Sequence, residues 1–180
     1  KVSDYVAEVI SPEVAFTVLP YYVEVTYPHL NIPGNYQGWA PDNMLTVIHS
    51  LESDEVYDGY VYFGEAETMF KFAKGSWDVN WGDTGLDGTL DDGGDDIPAV
   101  GPAMYRLHAD LNDLTYSATA MNWGLIGSAT PGGWDSDQDM IWDAENNILT
   151  ITLDLVEGEI KFRANDAWDV DFGDDQANGI

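Results

Sequence analysis

The sequence contains no cysteine. That excludes disulfide staples, thiolate catalysis, Cys-ligated zinc and iron–sulfur clusters together. It leaves the compartment open, because exported proteins can also lack Cys. Cations are scarce: six Lys and Arg stand against 33 Asp and Glu, for a formal net charge of −27. Such a chain has no basic stripe with which to displace counterions from a nucleic acid, and an anionic membrane face repels it. No apolar run is long enough to span a bilayer as a helix, and no stretch holds 3.6-residue periodicity long enough for an ordinary helix. The motifs G-x-S-x-G, H-E-x-x-H and the phosphate loop are missing, and His29, His49 and His108 share no pattern. A catalytic role is not expected. Two carboxylates held across a cleft would suffice for glycoside hydrolysis, but among 33 acids some pair always looks suitable, so the count carries no signal.

The acidity is not that of a disordered chain. Hydrophobic residues make up 44% and aromatics 13%, enough for a packed core. The apolar residues alternate in short runs, among them Tyr60–Phe63, Phe70–Phe72, Tyr105–Leu107, Leu149–Leu153 and Ile160–Phe162. Turn residues separate them: Pro33-Gly34-Asn35, Asp58-Gly59, Gly93-Gly94, Pro131-Gly132-Gly133, Asn146-Asn147 and Glu157-Gly158. Many short strands with this punctuation read as an all-β sandwich class.

An internal repeat is the most informative feature. Phe70–Asp83 (FKFAKGSWDVNWGD) matches Ile160–Asp174 (IKFRANDAWDVDFGD) with one extra residue in the second copy. Upstream, Leu30–Gly34 leads to Gly38-Trp39, and Leu125–Gly127 leads to Gly133-Trp134. The offset is 91 between Trp77 and Trp168 and 95 between Trp39 and Trp134. The expectation is two copies of one β-sandwich, the first over residues 28–117 and the second over 118–180. The second has no counterpart to the first copy's Gly88–Ser117 segment and looks cut short, so that more chain or another chain would complete it. Residues 1–27 are strand-like and read as the end of a preceding domain plus a linker. The start at Lys1 reads as a processed product, with any lipid anchor upstream.

Four of the six cations, Lys71, Lys74, Lys161 and Arg163, lie in the matching segments. Strand alternation points Phe70, Phe72, Ile160 and Phe162 inward and Lys71, Lys161 and Arg163 outward. Turn chemistry at Gly75-Ser76 and Asn165-Asp166 then has Trp77 and Trp168 begin the adjacent strand, each beside a long cationic donor. This combination suits a sugar, whose C–H face stacks on an indole and whose hydroxyls accept hydrogen bonds. Trp39 and Trp134, each after a Gly in a turn, would complete two-ring platforms. Other readings stay open. A Trp in a sandwich also serves as core, Trp81, Trp123 and Trp142 are expected as core or strand-edge packing, and a Lys on an acidic surface is a ready ion-pair partner. Recurrence of the pairing carries the functional reading. The acidic loop Asp83–Asp96, with Asp87, Asp91, Asp92, Asp95 and Asp96, offers oxygen ligands a calcium ion could use. It lacks EF-hand spacing, so a solvated loop and no cofactor are expected.

These segments, together with LNIPGNYQGW, DGTLDDGGDDI, YRLHADLNDLTYS and WGLIGSATPGGWDSDQDM, resemble the tandem C-terminal modules of SusE/SusF-type outer-membrane lipoproteins over residues 28–180. The resemblance implies tandem immunoglobulin-like β-sandwich modules, each able to bind α-glucan at the bacterial cell surface. It implies a lipidated N-terminal domain as the sole membrane attachment, and partnership with a TonB-dependent transporter and its SusD-like lid. Carried onto matching positions, it places Trp39, Lys71 and Trp77 in a first site and Trp134, Lys161 and Trp168 in a second. Arg163 and Asn165 are added on position alone. A structural or adhesive module, a binder of another polysaccharide and a hydrolase accessory are the alternatives.

Overall fold

The computed structural model describes residues 26–174. The strand-like runs expected at Ala15–Val18 and Tyr22–Val25 and the last residues of the second copy lie outside them. Among the described residues the fold is all-β, with one 3₁₀ turn, η1 (Asn35–Gln37), and no α-helix. Among the described residues no helix is long and apolar enough to cross a membrane, which leaves strands unaddressed.

Ten strands form the first part of the chain. They are β1 (His29–Asn31), β2 (Val47–His49), β3 (Val56–Phe63), β4 (Glu67–Phe70), β5 (Phe72–Ala73), β6 (Asn80–Gly82), β7 (Asp91–Asp92), β8 (Ile97–Val100), β9 (Ala103–Asp110) and β10 (Thr115–Met121). Eight of them make one curled antiparallel sheet in the order β10-β9-β3-β2-β1-β5-β6-β7, while β4 pairs with β8. Period-two burial explains the long strands: Tyr57, Val61 and Phe63 of β3 and Tyr105, Leu107 and Ala109 of β9 turn inward. On the outer face Arg106 makes a bidentate bond to Asp58 across that pair, at 3.0 and 2.9 Å. Phe63 anchors the core, with Tyr36, Phe70 and Tyr105 centred 4.8, 5.0 and 5.0 Å away. Asp58-Gly59, expected as a turn, lies inside β3 instead. Gly59 is there for close approach, since a Cβ would sit 2.8 Å from Ile48 Cγ2.

Beyond Met121 the strands are shorter: β11 (Trp123–Ile126), β12 (Gln138–Asp139), β13 (Ile141–Asp143), β14 (Ile148–Thr150), β15 (Lys161–Ala164) and β16 (Asp171–Phe172). One sheet runs β12-β11-β15-β16, and β13 pairs with β14. The strand expected through Leu153 stops at Thr150. The two parts meet through aromatics, with Tyr62 stacked on Trp142 at 4.8 Å and Tyr60 edge-on to Trp123 at 6.1 Å.

Strand pairing reproduces the sequence repeat. Phe72 faces Trp81 and Ala73 faces Asn80 in the β5–β6 hairpin. Phe162 faces Phe172 and Arg163 faces Asp171 in the β15–β16 hairpin. The extra residue of the second copy therefore falls in the intervening turn. Gly34 and Gly127 are equivalent too: a Cβ at Gly34 would lie 2.5 Å from the Met69 carbonyl, and one at Gly127 2.1 Å from that of Glu159.

Burial corrects one expectation for the second copy. Phe72 is 0% exposed, whereas its equivalent Phe162 is 40% and Ile160 41% exposed. Arg163, expected outward, is 6% exposed. Alternation itself holds, with Phe162 on one face of β15 and Lys161 and Arg163 on the other. The burial is inverted because little among the described residues covers the phenylalanine face, while an indole and a carboxylate cover the arginine.

Candidate functional site

Two tryptophan pairs are the feature most suited to binding. Trp39 follows η1 at the end of a tight loop, where Gly38 takes φ 76° and the Trp39 N–H donates to the Gly34 carbonyl at 2.8 Å. The Asn35 side chain pins this loop to β4, donating to the Glu67 carbonyl at 2.8 Å and accepting from the Met69 N–H at 3.0 Å. Trp77 sits in the turn between β5 and β6, held by Asn80 Nδ2 donating to the Trp77 carbonyl at 2.8 Å. The indoles of Trp39 and Trp77 are centred 6.2 Å apart and inclined at 45°.

The second pair repeats this. Gly133, with φ 59°, precedes Trp134. Trp168 occupies the β15–β16 turn, where Asn165 and Asp166 take positive φ. The two rings are again 6.2 Å apart, inclined at 40°. Trp77, Trp134 and Trp168 are 42%, 42% and 51% exposed, and Trp39 is half-buried. None of the four is sealed in the core. Neither Trp77 nor Trp168 begins a strand, as the turn chemistry implied; each projects from the turn itself, which is what leaves it exposed.

The cations divide differently from expectation. Lys71 Nζ donates to the Gly93 carbonyl at 3.2 Å, and Lys161 Nζ pairs with Asp171 at 2.6 Å. Arg163 stacks on an indole, with Cζ 4.8 Å from the Trp168 ring centre. Beneath that ring its guanidinium makes a bidentate pair, donating to both Asp137 oxygens at 2.9 and 3.2 Å with side-chain exposures of 7% and 2%. The hydrogen bonds from Arg163 hold the Asp137 carboxyl below the usual range, while its hydrogen bond with Asp137 and the charge of that carboxylate push Asp166 up. Asn165 accepts from the Asn122 N–H at 2.8 Å and donates to the Ala120 carbonyl at 3.0 Å. Arg163 thus supports the second pair from beneath, while Asn165 ties the Trp168 turn to the β10–β11 connection. Lys74 pairs with Glu55 at 2.7 Å and lies 5.8 Å from the Trp81 ring.

Two supporting residues were not foreseen, Asn31 and Asp137. Asn31 interrupts the run Leu30–Ile32, and a polar residue in a buried strand was the one available signal. Asp137 carries no mark among so many acids. In the acidic loop, Asp83 is 0% exposed and its carboxylate is spent locally. It accepts from the N–H groups of Asp87 and Gly88 at 3.1 and 2.9 Å and from the Tyr116 hydroxyl at 2.9 Å. Among the described residues no group of three or more His, Asp or Glu could hold a metal ion.

The geometry therefore offers two shallow, tilted aromatic pairs on an acidic surface. Against known proteins, the chain matches no family model, no curated protein and no solved structure.

Proposed function

We propose that this chain is a non-catalytic glycan-binding protein in which each tryptophan pair is one subsite. The duplicated pair carries this reading: two loops and two turns of different length and sequence bring their indoles to the same separation and nearly the same tilt. Core packing alone would not require such agreement at half-exposed rings. Two inclined faces receive the C–H surfaces of a curved chain of sugar rings. On this reading Lys71, Lys161 and the acids next to the indoles in sequence supply hydrogen bonds to its hydroxyls.

On this reading the copies are tandem immunoglobulin-like β-sandwich modules over residues 28–117 and 118–180. The protein is of SusE/SusF type, anchored at the outer membrane through an upstream lipid, and it captures polysaccharide for a SusCD-type uptake system. An α-glucan, with its helical curvature, is the leading ligand. Each stacked ring contributes about 0.5–1.5 kcal/mol beyond its burial, so each subsite is weak alone, and one glycan spanning both gains through avidity.

Native gel electrophoresis through soluble starch and a panel of other neutral glucans is the test. Trp77→Ala and Trp168→Ala should each reduce retardation, and the double variant should abolish it. Unretarded wild-type protein on every glucan, or full retardation of the double variant, removes the reading.

A further inference from the structure

The indoles keep the same geometry in the two copies, but what holds them apart differs. In the first copy Asn31 is wholly buried on β1 and faces Ala73 across the sheet. Its Oδ1 accepts from the Gly75 N–H at 3.1 Å, two residues before Trp77. Its Nδ2 donates to the Asn43 carbonyl at 3.1 Å, four residues after Trp39. One neutral side chain thus links both tryptophan-bearing segments. The equivalent positions in the second copy are Gly124 and Arg163, which face each other in the same register. Arg163 lies under the Trp168 ring and grips Asp137, three residues after Trp134. The same two segments are linked, this time by an ion pair. The exchange is reciprocal, because a Cβ at Gly124 would lie 2.9 Å from Asp137 Oδ2, leaving no room for a side chain like Asn31.

We propose that Asn31 and the Arg163–Asp137 pair are interchangeable cross-ties that position the two indoles of each subsite, and that acid releases the second subsite while sparing the first. The inference rests on the glycan-binding reading for its consequence but not for its structure. The charged groups facing Asp137 are Arg163 from β15 and Asp166 from the turn after it, with Asp139 of β12 close to Asp166. On acidification Asp166 takes the first proton and can donate it to Asp137, which leaves the grip on Arg163 intact. A second proton, on Asp137 itself, removes the charge assistance of both N–H···O bonds. Asn31 has no group that titrates in this range.

The test uses the whole protein labelled with 5-fluorotryptophan, its seven fluorine signals assigned by Trp→Phe variants. Acid titration is followed over the range in which the far-UV circular dichroism spectrum is constant. The Trp134 and Trp168 signals should move while those of Trp39 and Trp77 stay. At neutral pH, Arg163→Ala should shift the Trp134 and Trp168 signals and abolish their response to maltoheptaose, with the first pair's response unchanged. The graft Gly124→Asn with Arg163→Ala and Asp137→Gly, which imports the first copy's tie and clears the side chain that a Cβ at position 124 would strike, should restore that response and make it insensitive to acid. Equal movement of both pairs with acid, an unmoved Trp168 signal in Arg163→Ala, or a graft that restores nothing each overturns the proposal. The fluorine shifts need no sugar, so they decide the cross-tie even if maltoheptaose moves none of the signals, a result that would count against glycan binding alone.

Discussion

Phe72 and Phe162 occupy the same position of the repeat but differ in burial, so each serves as the other's control. Phe72 is 0% exposed, with Phe70 and Tyr116 centred 5.6 and 5.8 Å from its ring. Removing a wholly buried phenylalanine forfeits about 1.5–3 kcal/mol of transfer free energy, and the cavity left behind raises the total to about 3–5 kcal/mol. Phe162, 40% exposed, has about six-tenths of the transfer term to lose and encloses no cavity, so its truncation should cost about 1–2 kcal/mol. Urea unfolding of Phe72→Ala and Phe162→Ala, followed by tryptophan fluorescence and far-UV circular dichroism, measures both. A gap of about 2–3 kcal/mol is expected between them. Equal losses, or a larger loss at Phe162, would refute the reasoning and mean that its face is covered in solution.

Other substitutions probe the loops that place the rings. Gly127→Ala drives a methyl to within 2.1 Å of the Glu159 carbonyl and should be far more destabilising in urea than Gly133→Ala. The latter meets open space at φ 59° and should cost about 1–2 kcal/mol of left-handed strain. Burial pushes the Asp83 carboxyl up, but the hydrogen bonds from Gly88, Tyr116, Asp87 and Leu86 outweigh it and hold the group below its usual range. Its folded value being depressed, its contribution is present above the ordinary carboxylate range and is lost as pH falls through the lowered one. Thermal midpoints measured against pH should therefore decline less steeply in acid for Asp83→Asn than for wild type. In affinity electrophoresis, Trp39→Ala added to Trp77→Ala should cost less than its effect alone if the two rings act as the one subsite proposed.

The all-β character was legible because it depends on period-two alternation and turn residues, which are local. The hairpins carrying Phe72 and Phe162 were read from the repeat, and their registers agree residue for residue. Asp58-Gly59 misled because a glycine chosen for close approach to Ile48 looks like a glycine chosen for a turn. The tryptophans of each pair were legible because recurrence at a near-constant offset marks them, although each pair joins segments about 35 residues apart. Arg163 was misplaced for a different reason. Its direction followed from alternation, but its burial depends on Asp137 and Trp168, a non-local pairing that no spacing reveals. The same applies to Asn31, whose partners Gly75 and Asn43 are brought to it only by the folded sheet.

On the glycan-binding proposal, the net charge of −27 acts on ligand choice through its placement rather than its sum. At physiological salt the field of a surface carboxylate fades over about 8 Å, so distant acids do not decide what stacks on an indole. Adjacent ones do. Trp77, Trp134 and Trp168 are each followed by an exposed aspartate, Asp78, Asp135 and Asp169. Beside a stacking face a carboxylate accepts hydrogen bonds from the hydroxyls of a neutral sugar, and it repels a uronate or sulfated ring at the same distance. Affinity for maltoheptaose, measured by calorimetry, should therefore be indifferent to added salt. Any residual affinity for an acidic oligosaccharide should rise as salt screens the repulsion. Affinity for the neutral sugar that falls steeply with salt would mean that charge rather than ring stacking dominates binding. Acidic oligosaccharides bound more tightly than neutral ones at low salt would show that these aspartates do not face the ligand.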